Sequence, residues 1–144
     1  MSNKALRILI ADEQHFHRMK IERLFNQLDY YRVAPVQNVE ELLNLVEYGL
    51  EPFDLVVINA ALAAGAFDLL GFFLDNPQVR HALIYQGESI QLPPIPACRE
   101  QKVQVSHGLM PDFRTIERLM AIIDPAVSER GRRWLPERCD QKTG

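Results

Sequence analysis

The chain has 144 residues, 47% of them hydrophobic, and 16 Lys+Arg against 19 Asp+Glu give a formal net charge of −3. That suits one compact domain and excludes a polycation built to coat nucleic acid, while 24% charged and 8% aromatic residues argue against disorder. No apolar stretch approaches the ~20 residues of a bilayer crossing, Met1-Ser2-Asn3-Lys4 leads into no signal-peptide core, and Cys98 and Cys139 are too few for a disulfide framework, so a soluble cytoplasmic protein is expected.

Residues 6–11 open the fold as a dense apolar run with the character of a buried parallel strand. Ile21, Leu24, Phe25 and Leu28 then follow helical spacing. Residues 31–36 are a weaker strand, because Pro35 removes a ladder donor and suits a strand end or a sheet edge. Val39, Leu42, Leu43 and Val46 form the next helical stripe, preceded by Asn38 with Glu41 three residues on, the pattern of a capping box. Residues 54–58 are a third strand. Phe67, Leu69, Leu70, Phe72, Phe73 and Leu74 make a third helix apolar on more than one face, which burial explains and a partner surface would also explain. Residues 82–85 and 103–105 are the fourth and fifth strands. Between them Pro93, Pro94 and Pro96 break any full-length helix. Phe113, Ile116, Leu119, Met120 and Ile123 form a last stripe with Asp112 as its N-cap. The tail from residue 125 is net +2, leaving −5 on residues 1–124, with Trp134 as its strong apolar anchor.

Strands alternating with helices predict an α/β fold, a doubly wound five-stranded parallel sheet with helices on both faces. The domain spans residues 1–124, followed by a basic tail, 125–144. In such sheets the loops after the strands' carboxyl ends share one rim, where sites are held. That rim collects Asp12 and Glu13 after the first strand, Asn59 after the third, Gln86 after the fourth, and Ser106 and His107 after the fifth.

In order and spacing these residues resemble the receiver domains of two-component response regulators, over residues 6–124. Leu6-Arg7-Ile8-Leu9-Ile10-Ala11-Asp12-Glu13 is similar to that family's first strand and acidic pair, and Phe53-Asp54-Leu55-Val56-Val57-Ile58-Asn59 to its third strand. Gly65 to Leu70 is similar to the opening of its third helix. The resemblance implies a flavodoxin-like (βα)5 fold, here with the fourth helix degenerate or replaced by the Pro-rich loop. Ordinary receivers hold Mg²⁺ with the acidic pair, phosphorylate an aspartate, and use a Thr or Ser and a lysine beside it. This chain keeps the acidic pair but has Asn59 at the acceptor position, Gln86 at the hydroxyl position, and Ser106 or His107 where the lysine belongs. An amide oxygen is a far poorer nucleophile than a carboxylate, and a hard divalent ion loses one of three negative charges. The expectation is a pseudo-receiver: not an enzyme, no cofactor, Mg²⁺ bound weakly or not at all.

Plainer readings stand beside this one. Asp12 and Glu13 could be a solvated strand end or a helix N-cap, and Asn59 a turn residue bonding its own backbone. His15 and His17, two apart, point to different faces of a helix and cannot share an ion; His81 is a poor ligand. No nucleophile elbow, phosphate loop or dinucleotide fingerprint is present. The arginines at 130–133 read as a solvated linker rather than a nucleic-acid contact. The expected function is a phosphorylation-independent signalling module that binds a protein partner, as a possible homodimer, with no membrane contact. Its interface candidates are Pro93, Pro94 and Pro96 with Phe113, Arg114 and Arg118 of the last helix. The alternative is small-ligand sensing at Asp12, Glu13, Asn59 and Gln86; an unusual acceptor or an unknown enzyme ranks below both.

Overall fold

The computed structural model describes residues 5–49, 51–63, 69–85, 102–106 and 110–124. Gln86, His107, Pro93, Pro94, Pro96, both cysteines and the tail fall outside them, as does the proposed replacement of the fourth helix. In chain order the elements are β1 (Ile8–Ala11), α1 (His15–Gln27), β2 (Val33–Val36), α2 (Val39–Tyr48), β3 (Leu55–Asn59), a 3-10 turn (Ala60–Ala63), α3 (Leu69–Asp75), β4 (Ala82–Tyr85), β5 (Val103–Val105) and α4 (Phe113–Ile123). All five strands are parallel, in the order β2-β1-β3-β4-β5. The first two strands are shorter than the apolar runs that announce them: Leu6 and Tyr31 lie outside the ladder.

Strand alternation divides the core between the two sheet faces. Leu9, Val56, Ile58, Ile84 and Val103 pack with Leu42 and Val46 of α2 and Phe73 of α3. Ile8, Ile10, Leu55, Val57, Leu83 and Tyr85 pack with Ile21 and Phe25 of α1 and with Ile116, Leu119, Met120 and Ile123 of α4. Fully burying each large side chain contributes about 1.5–3 kcal/mol, so these two layers dominate the fold's stability. Phe113, which the spacing assigns to the buried stripe of α4, is instead 37% exposed at its first turn. On α3, Phe73 is buried and Phe72 and Leu74 are half-buried against the same layer, so burial accounts for these members of the apolar helix.

Local signals set the helix ends. Asn38 Oδ1 accepts the Glu41 N–H at 2.8 Å, as a capping box requires, but the Glu41 carboxylate reaches the Gln37 N–H at 3.0 Å rather than that of Asn38. Asp112 caps α4 by accepting the Thr115 N–H at 2.8 Å. Helix α1 ends in a Schellman motif: the Tyr30 N–H returns to the Phe25 carbonyl and the Asp29 N–H to that of Asn26, both at 3.0 Å. Asp29 occupies the left-handed position at φ 71°, where glycine is usual. Pro35 lies on β2, a sheet edge, opposite Ile10. Arg32 and Val36 accept hydrogen bonds from β1, so by strand parity the Pro35 nitrogen faces away from the ladder and costs it nothing.

Candidate functional site

The register aligns the site. Ala11 pairs with Ile58, and Asn59 with Tyr85. One step on, Asp12, Asn59, Tyr85 and Ser106 form a row across the carboxyl ends of β1, β3, β4 and β5. Three of these side chains meet. Asp12 is 1% exposed and Asn59 8%. Asn59 Nδ2 donates to Asp12 Oδ2 at 3.2 Å, and the Tyr85 hydroxyl donates to the same oxygen. His17 Nδ1 lies 3.1 Å from it; an ionised carboxylate only accepts, so this ring nitrogen carries the proton. Asp12 Oδ1 accepts the Gln14 N–H at 2.8 Å, and the Asp12 carbonyl accepts from Arg18 Nη1 at 2.5 Å. Asn59 Oδ1 accepts the Ala61 N–H at 2.8 Å. That bond fixes the amide's orientation: oxygen toward its own backbone, NH₂ toward Asp12.

The plainer reading holds for Asn59, a turn residue bonding its own backbone, but not for Asp12, which is buried rather than solvated and is not the N-cap of α1, a position taken by Gln14. Asp12 and Asn59 each make a local turn with the residue two ahead, and the two also join each other. Glu13 is exposed, so the acidic pair splits into one buried carboxylate and one solvated one. Ser106 is half-buried and its N–H extends the ladder to Ile84 at 2.7 Å. Gln86 and His107 lie outside the described residues.

Electrostatics follow from this geometry. Burial alone would raise the Asp12 pKa, but the hydrogen bonds from Tyr85, the Gln14 N–H, Asn59 and His17 outweigh it and hold the carboxyl below its ordinary value. Burial, then the hydrogen bond to Asp12 and its negative charge, push the Tyr85 phenol far above its ordinary value; Arg18 opposes this weakly. The site is thus a fixed anion ringed by donors. It does not suit the divalent ion of an ordinary receiver, which needs open oxygen ligands. Here both Asp12 oxygens accept hydrogen bonds, and the Asn59 oxygen is turned to Ala61. Among the described residues, no group of three or more His, Cys, Asp or Glu could hold a metal ion, and no helix is long and apolar enough to cross a membrane.

Strand-end spacing gives Tyr85 no role at the site, and the spacing of His15 and His17 excludes only an ion shared between them. The signal for Tyr85 was a hydroxyl ending an otherwise aliphatic buried strand, since a buried phenol needs a partner. For His17 and Arg18 the signal was their place on the first turns of α1, immediately above Asp12.

No family model matches the chain, and no curated protein matches it. Among solved structures, the solution structure of SdrG from Sphingomonas melonis Fr1 is similar, with a TM-score of 0.58 and 17% identity, covering 84% of this chain and 98% of that one. At that identity the likeness is one of fold. Together with the sheet order it makes this an α/β protein with a flavodoxin-like fold.

Proposed function

We propose that the chain is a receiver-like signalling module that works without phosphorylation, by binding another protein. The orientation of Asn59 carries this reading. An acceptor residue must offer an unprotonated oxygen to phosphorus, whereas position 59 presents an NH₂ group inward and commits its oxygen to Ala61 at 2.8 Å. Asp12 is likewise engaged on both oxygens, which disfavours small-ligand sensing through these two side chains. With the pocket turned on itself, function falls to the surface. Phe113, Arg114 and Arg118 lie exposed along α4, where the receiver resemblance locates partner contacts.

Incubation with a small phosphodonor, or with beryllofluoride and Mg²⁺, is expected to give no added mass and no chemical-shift change around Asn59. A stoichiometric phosphoryl adduct would overturn the proposal. For the partner arm, proximity labelling in the host is expected to lose specific neighbours when Arg114 and Arg118 are both changed to glutamate. An unchanged neighbour set moves the surface elsewhere.

A further inference from the structure

We infer that this chain satisfies the buried Asp12 carboxylate with its own hydrogen-bond donors where an ordinary receiver pocket would use a divalent cation, so that the rim holds one conformation without an ion. This rests on the pocket reading above and deepens it. A carboxylate has about four lone-pair sites, two on each oxygen; of the four donors at Asp12, three crowd Oδ2 and one lies on Oδ1. Gln14 N–H lies on Oδ1 at 2.8 Å; Asn59 Nδ2 at 3.2 Å, His17 Nδ1 at 3.1 Å and the Tyr85 hydroxyl converge on Oδ2. These are hydrogen-bearing groups, the reverse of what a hard cation requires of its neighbours. The three side-chain donors come from three elements, His17 from α1, Asn59 from β3 and Tyr85 from β4, and the Gln14 N–H lies at the N-cap of α1. A cation entering here would have to displace donors from a carboxylate that is 1% exposed. The same bonds tie β1 to β3 and β4, so the chain leaves β4 from an anchored residue.

The test uses the full chain. With ¹⁵N-labelled wild type, Mn²⁺ is expected to leave the amides of residues 12–14 and 59–61 unbroadened. The thermal midpoint in MgCl₂ is expected to match that in NaCl of equal ionic strength. In Asn59→Asp one donor becomes a second carboxylate, and MgCl₂ is expected to raise the midpoint by mass action. Should that variant be unfolded at neutral pH, MgCl₂ is expected to restore its folding. Selective broadening at residues 12–14 in the wild type, a magnesium response equal in both proteins, or a variant blind to magnesium each overturns the inference. A wild type that bound Mg²⁺ but accepted no phosphoryl group would end this inference and leave the proposed function standing. A phosphoryl adduct would end the function.

Discussion

Replacing Asn59 with aspartate changes almost no volume but sets two carboxyl groups where the amide and Asp12 now lie 3.2 Å apart. Were both ionised, they would repel by about 5 kcal/mol at an effective dielectric near 20. The alternative is to keep one protonated. That costs about 1.4 kcal/mol per pH unit above an unfolded pKa near 4, or about 4 kcal/mol at pH 7. Protonation is the cheaper route, and the new O–H can donate to Asp12 as the amide did. The variant's pair then has a folded pKa raised above its unfolded value. For an acid, this means the folded state binds the additional proton, so stability declines as pH rises from about 4. Asp12 in the wild type has the opposite sign: its lowered pKa contributes stability above an unfolded value of 3.8, lost as the solution becomes more acid. Comparison above about pH 4.5 avoids that limb. Urea unfolding of both proteins between about pH 4.5 and 7.5 is expected to show nearly equal stability at the acid end and a deficit of about 4 kcal/mol at neutrality. A deficit that does not change with pH, or none at pH 7.5, would show that Asn59 and Asp12 are not coupled as described.

Tyr85→Phe removes a donor from a buried anion and is expected to cost about 1.5–3 kcal/mol at pH 7 in the same assay. Because the folded phenol's pKa lies above its unfolded 10.0, only the unfolded state ionises just above pH 10; wild-type stability should fall there by up to about 1.4 kcal/mol per pH unit more steeply than that of the phenylalanine variant. Asp29→Gly relieves a left-handed non-glycine residue at the end of α1 and is expected to raise stability by up to about 1 kcal/mol, read as a higher urea midpoint at unchanged slope. Gly49→Ala is expected to lower it by about 1–3 kcal/mol, since a Cβ there would stand 2.6 Å from the Leu45 carbonyl oxygen and force the end of α2 to move.

The elements were legible because two signals agreed at each. The aliphatic runs of β1, β3 and β4 are buried on both sheet faces, so they read as unbroken hydrophobic stretches. The stripes of α1, α2 and α4 face the sheet at helical spacing, with Asn38 and Asp112 marking two starts. Phe113 shows the limit of periodicity. It fits the stripe by count, but at the first turn of α4 the sheet no longer covers it. At the site, the strand-end rule found Asp12 and Asn59 and predicted their meeting. Spacing could not show that Glu13 turns to solvent, nor which end of the Asn59 amide faces Asp12. The amide's orientation depends on the Ala61 N–H, a contact of the turn that follows β3.

Pro35 also bears on how this molecule can associate with others. A free strand edge invites a neighbouring chain to extend the sheet, and such extension needs an unbroken row of outward amide hydrogens. On β2 the outward position at the middle of the strand is a ring nitrogen with no hydrogen to give. Fibre-like stacking through that border is therefore interrupted at its centre, and at β2 association is left to side chains rather than backbone.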